Sequence, residues 1–237
     1  MPRVRSSGRS SDQRGRRRPV ILVLYTTRRC SRKNACPRFS PDRRGSGYVD
    51  TMGESFAELR TERLLMRRWR DADREPFAAM NSAPEVMRYF PAVMDREVSD
   101  QSVDRFEQRF EEQGFGLWAL ELLTTGEFIG FTGLNPMPEG VPGAGDQEVG
   151  WRLARRAWHQ GYATEAGRAA LDVAFNGVGL PRVWSITAVL NVPSERVMQR
   201  LGMERVGVFD HPKIEVGHPI RPHVAYRIEA DGFEKAL

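Results

Sequence analysis

Two short stretches concentrate residues whose types and spacing can do chemistry. In RAWHQGYATEAG, residues 156–167, Gly161 stands where a chain leaving a strand must turn tightly or approach a ligand, and the small Ala163 follows as a helix opens. The free N–H groups and positive dipole end of that helix make an anion site, with Arg155 and Arg156 as upstream cations. A glycine also serves an ordinary strand-to-helix turn, so this stretch alone leaves both readings open. In NVPSERVMQRLGM, residues 191–203, Asn191 ends a strand, Ser194 is a predicted helix N-cap and Gly202 a helix stop. Capping by itself accounts for that stretch too. Upstream, Glu148 in DQEVGWRL alternates with the apolar positions Val149, Trp151 and Leu153 and points away from their face. It is either a solvated strand carboxylate or, beside a reacting group, a general base.

The histidines offer a second chemistry. His211, His218 and His223 cluster at spacings of seven and five residues, interrupted by prolines, with His159 elsewhere. These spacings fit no usual metal-ligand pattern, and no metal is expected. Cys30 and Cys36 both lie in the first fifty residues, so a disulfide framework is excluded and a reducing cytoplasm is the expected location.

The elements that must position these residues begin near residue 59. Residues 1–50 hold 14 Lys/Arg against 3 Asp/Glu, whereas residues 51–237 hold 22 against 28, so a net of +11 precedes a body of −6. Residues 1–52 read as a basic, disordered extension whose apolar run, PVILVLY, is too short to span a bilayer. It is an upstream extension ahead of a working start at Met52, a nucleic-acid or membrane-attracted arm, or an organelle presequence.

Residues 53–237 read as one domain. LRTERLLMRRW predicts a first strand, two or three helices follow, and FGLWALEL with EFIGFTGL predicts an antiparallel hairpin. The Gly/Pro-rich NPMPEGVPGAG is a loop, and DQEVGWRL a fourth strand. EAGRAALDVAFNGVG then predicts a helix, RVWSITAVL a strand, SERVMQRLG a helix, and MERVGVF with HVAYRIE the last strands. The order implies a mixed sheet flanked by helices, with a parallel crossover across the fourth strand and the next.

The paired stretches HQGYATEA and NVPSERVMQRLGM, with LRTERLLMRRW, GEFIGFTGL and EVGWRL, resemble the Gcn5-related N-acetyltransferase superfamily. They are most similar to its ribosomal-protein N-terminal acetyltransferase branch. The resemblance implies an α/β (α+β) fold whose mixed, mostly antiparallel sheet of about six to seven strands has a splayed parallel central pair. It implies acetyl-CoA as cosubstrate, a primary amine as acceptor, and direct transfer without an acyl-enzyme. The pantetheine arm would lie in the splay like an added strand.

By position, the pyrophosphate would rest on backbone amides of Trp158, His159, Gln160, Gly161, Tyr162 and Ala163, with Thr164 closing the cradle and Arg156 helping. Trp158 replaces the Gln or Arg frequent in the superfamily, so main-chain donors must carry the binding. Amides at Trp151, Arg152 and Leu153 would face the thioester carbonyl, and Asn191, Ser194 and Arg196 complete the cofactor side. Acetylation needs a neutral amine, which makes Glu148 the candidate base; where many members have a tyrosine acid this chain has Val197 and Met198, and Ser194 is the nearest substitute.

Acceptor-side expectations fall on Phe90, Trp118 and Asn135, and on Arg221 and His223 in the loop region between the last two strands. The acceptor is a protein N-terminus or a small amine, and the body's charge weakly favours a cationic one. A non-catalytic acetyl-CoA sensor and a module tethered to nucleic acid by the basic arm are the alternatives. No membrane partner is expected, and a monomer or homodimer suffices.

Overall fold

The computed structural model describes residues 56–235 together with Leu24–Tyr25. The rest of the basic extension, and with it the expectation of disorder there, lies outside the described residues. Leu24–Tyr25 forms a short strand, β1, against Arg60 and Leu59.

The sequence alternation over residues 59–69 predicts one strand, and the structure makes two. β2 (Glu58–Arg60) and β3 (Leu64–Arg67) form a hairpin. Its turn carries no Gly, Pro or Asn; Thr61 closes it instead, exchanging main-chain and hydroxyl hydrogen bonds with Leu64. Three helices follow: α1 (Asp71–Ser82), α2 (Pro84–Met87) and α3 (Arg96–Gln113). Asp95 caps α3 through Val98 N–H, and Gly114 ends it at φ 76°, as a left-handed C-cap. The hairpin β4 (Leu117–Leu122) and β5 (Phe128–Pro136) leads through the Gly/Pro-rich loop to β6 (Gln147–Leu153).

After β6 come α4 (Tyr162–Asp172), β7 (Arg182–Ala188), α5 (Val192–Arg200), β8 (Glu204–Asp210) and β9 (Pro222–Glu229). A final helix, α6 (Ala230–Lys235), has no counterpart in the sequence reading. All strands form one sheet in the order β1-β2-β3-β4-β5-β6-β7-β9-β8, antiparallel except at β6–β7. The sheet exceeds the expected strand number because the first strand is a hairpin and Leu24–Tyr25 adds an edge strand.

Two cores sandwich the sheet. Trp118, Leu120, Val149 and Leu153 pack one face against Ala166, Ala169, Ala170 and Leu171 of α4. Leu117, Ala119 and Phe131 face the other way, onto Phe77 and Val103 of α1 and α3 and onto Trp69. Burying each such large side chain contributes about 1.5–3 kcal/mol, so the side-chain alternation of β4, β5 and β6 fixes which face meets which helix. Between β3, β4 and α1, Arg67 is buried against Asp73 (2.7 Å) and Glu121 (2.8 Å).

The decisive feature is where pairing stops. β6 and β7 are joined only at Gln147↔Val183 and Glu148↔Trp184. Beyond that, β6 stays with β5 as far as Leu153 and β7 stays with β9 as far as Ala188. The two strands diverge as a V whose inner edges keep unpaired main-chain groups.

Candidate active site

The loop from β6 to α4 is built to expose main-chain donors. A short 3-10 turn, Arg155–Ala157, is followed by His159 at φ 62° and Gly161 at φ 84°, the latter acting as N-cap of α4. His159 is the one non-glycine residue with positive φ among the described residues, a conformation that marks constrained functional loops. Gly161 O accepts from Thr164 and Glu165 N–H, while the amides of Gly161, Tyr162 and Ala163 have no carbonyl a turn earlier to bond. With the positive end of α4 behind them, these amides suit a pyrophosphate.

Two side chains that the sequence reading passed over brace this loop. Arg63 Nη1 donates to Gln160 O (2.9 Å), its Nε donates to Glu165 Oε2 (2.7 Å), and its guanidinium lies 4.7 Å from the Tyr162 ring centroid. Thr61 Oγ1 donates to Glu165 Oε1 (2.6 Å). In sequence, Thr61 and Arg63 look like exposed strand residues; their complementary partner in ATEA is about a hundred positions away, and no local period links them.

Inside the V, main-chain alternation decides what faces the gap. Ala154 N–H bonds Ile129 O across β5, so the amides of Trp151 and Leu153, out of phase with it, point to the free edge of β6. On the α4 side of the gap, Trp151 Nε1 donates to Ser194 Oγ (3.3 Å). Asn191 Nδ2 donates to both Ser194 Oγ (3.0 Å) and Thr187 Oγ1 (2.9 Å), and its Oδ1 accepts from Ser194 N–H (3.4 Å). The N-cap of α5 is therefore Asn191, not Ser194 as the sequence predicts. Ser194 Oγ receives two donors, which leaves its own O–H free to donate.

On the opposite face of β6 stands Glu148, at the apex of the V. Its only hydrogen bond among the described residues is from Asn135 Nδ2 (3.2 Å), its cross-strand neighbour. Burial pushes its carboxyl up to about 7, and the bond from Asn135 opposes that shift only in part. A carboxylate poised there exchanges protons near neutral pH. Asn135, expected on the acceptor side, thus bonds the candidate base.

Other expected residues fall elsewhere. Trp118 is fully buried, with its indole N–H donated to Phe56 O, so its surface is consumed by the core. Arg156 is turned to the β4–β5 hairpin by Glu127 and Phe128 O, away from the α4 amides, and Trp158 donates its indole N–H to Leu153 O. Arg152, expected on the cofactor side, points to the α1–α3 face, where Phe90 lies 4.2 Å from its guanidinium carbon. Arg196 is exposed on α5. Arg221 is held by Asp210 and by Ile214 O, within the β8–β9 connection. His223 is buried opposite Ala188 with its ring 4.8 Å from that of His211, and burial lowers the pKa of both. Among the described residues no group of three His, Cys, Asp or Glu can hold a metal ion.

A family model described as an acetyltransferase (GNAT) domain matches residues 63–204. The chain belongs to this Gcn5-related N-acetyltransferase family and is an acyltransferase; members of the family use acetyl-CoA as cosubstrate. It is 32% identical to the Bacillus subtilis protein YkkB over 62% of this chain and 84% of that one. It is 27% identical to the Bacillus subtilis N-acetyltransferase YoaA over 71% and 95% of the respective chains. In three dimensions it is similar to a GNAT-family acetyltransferase of Bacillus anthracis, at a TM-score of 0.62 and 26% identity over 73% of this chain and 99% of that one. An acetyltransferase of Agrobacterium tumefaciens superposes at 0.60 with 26% identity, over 79% and 99%.

Proposed function

We propose that the protein transfers acetyl from acetyl-CoA to a primary amine by direct attack within a ternary complex. The observation that carries this reading is the placement of Glu148 and Ser194 on opposite faces of β6, beside the V where β6 leaves β7. The amides of Gly161, Tyr162 and Ala163 would hold the pyrophosphate, and the free edges of β6 and β7 the pantetheine. When bound, acetyl-CoA supplies an activated thioester carbonyl.

From the α1–α3 face, an amine can reach that carbonyl while Glu148 accepts a proton from its nitrogen, directly or through water. The new N–C bond forms at the carbonyl carbon as the C–S bond breaks. The N–H groups of Trp151 and Leu153 stabilise the charge that grows on the carbonyl oxygen. Ser194 O–H gives its proton to the departing sulfur on the α4 side and regains one from solvent. Amine entry and thiol exit thus use opposite faces of the sheet.

The test is thiol release from acetyl-CoA by the full chain against a panel of amines and peptide N-termini, with acetyl-CoA binding followed by calorimetry. The expected result is binding together with amine-dependent release. Binding with no release toward any amine would move the assignment to a sensor, and no binding would sink it.

A further inference from the structure

The Arg152 guanidinium has more donors than partners. Nη1 donates to Asn81 Oδ1 (2.7 Å) and approaches Met94 Sδ (3.8 Å). Nε is buried without a hydrogen-bond partner, and among the described residues no carboxylate lies at ion-pair distance. A guanidinium carries more N–H donors than these contacts use. Arg67 provides the internal contrast: it is buried, yet gripped by the carboxylates of Asp73 and Glu121. Arg152 has only a neutral amide, a thioether and the rings of Phe90 and Phe131.

A buried, unpaired guanidinium is destabilising unless an anion completes it. Burial without a counter-charge drops its pKa to about 10, which still leaves it cationic at neutral pH. It is also firmly placed, because Asn81 is fully buried and bonded in turn to Ser99 Oγ (3.1 Å). Glu148, Gly150 and Arg152 share one face of β6 by strand alternation. A Cβ at Gly150 would meet no atom within 4 Å, so the space between the other two is open. The Cα atoms of Glu148 and Arg152 stand about 13 Å apart along the strand.

We propose that the acceptor is a small amine carrying a carboxylate several bonds from its reacting nitrogen, the carboxylate seated on Arg152 and the nitrogen at Glu148. The forked guanidinium matches a carboxylate bidentately, and a single cation neutralises a single negative charge. Amine and carboxylate on one carbon are too close together to reach both residues. ω-Amino acids, and basic amino acids presenting their side-chain amine, have the required length. The body's net charge of −6 is a bulk figure, whereas Arg152 acts at the site itself. The inference rests on the acetyl-transfer reading above.

The wild-type protein tests it first, with 6-aminohexanoate against hexylamine, which have equal chain length and differ in the carboxylate. kcat/KM should favour 6-aminohexanoate roughly tenfold to hundredfold, mainly through KM, as expected for one charge-assisted bidentate contact. In Arg152→Met that preference should fall to near unity, and Arg152→Lys should restore only part of it. Equal kcat/KM for the two amines in the wild type overturns the inference while leaving acetyl transfer standing. So does an R152M variant that keeps the preference but weakens acetyl-CoA binding in calorimetry, which would place Arg152 on the cosubstrate. Absence of thiol release with every amine overturns the acetyl-transfer reading and this inference together.

Discussion

At the scale of single residues, the chemistry turns on two groups with unlike surroundings. Glu148 has one neutral hydrogen-bond donor and is otherwise desolvated, which holds its carboxyl near 7. kcat should therefore climb with pH through about 7 as Glu148 ionises. Glu148→Gln should lower kcat about a hundredfold to a thousandfold and remove that limb of the pH profile, measured by thiol release. Stability gives an independent reading with a definite sign. A carboxyl whose folded pKa lies above its ordinary 4.5 binds its proton more tightly when folded, so stability declines as pH rises from that value to about 7. Glu148→Gln should thus gain on the order of 2 kcal/mol over wild type at pH 8, and much less at pH 4, in chemical denaturation. Ser194, which receives hydrogen bonds from Trp151 and Asn191, is set to donate its own proton. Ser194→Ala should cost about tenfold to a hundredfold in kcat; an unchanged kcat would remove it from the proton path.

The element scale shows why helix α4 begins where it does. Its N-terminus is fixed by Gly161 at positive φ, and by Arg63 and Thr61 reaching from the β2–β3 turn to Gln160 O and Glu165. Arg63 is partly exposed, so its ion pair with Glu165 adds little to stability, but it holds the loop whose amides must converge on phosphate. Arg63→Ala should raise the KM for acetyl-CoA about tenfold with little change in kcat, seen in steady-state kinetics at saturating amine. If KM does not move, the loop is rigid without this brace. HQGYATEA and NVPSERV mark both arms of the V in the sequence, but the turn between β2 and β3 passes unseen, because a Thr hydroxyl does the work usually assigned to Gly or Asn.

The whole molecule couples its two cores through a sheet that is continuous at one end of β6 and split at the other. Near β3 and β4, Arg67 ties Asp73 of α1 to Glu121, on the same α1–α3 side of the sheet as Glu148 and Arg152. Removing Asp73 strips the buried Arg67 of its bidentate partner and leaves it with Glu121 alone. Asp73→Ala should therefore cost about 3–5 kcal/mol in denaturant unfolding, a loss far larger than the surface pairs of α1 can produce. In the fold Asp73 both accepts from Arg70 N–H and neutralises Arg67.

By itself, the sequence determined most of the order of elements, the anion-ready start of α4 and the partner motif at Asn191. Each of these is written in local spacing, where helix and strand periods, caps and glycines act over a few residues. Only the tertiary structure decided that Asn191 rather than Ser194 caps α5, that Trp118 is spent on packing and Arg156 on Glu127, and that Arg152 turns from the cosubstrate side to the α1–α3 face without a counter-charge. Those outcomes depend on which distant groups meet, and on the parity of each strand against its neighbours. No window of sequence contains that information.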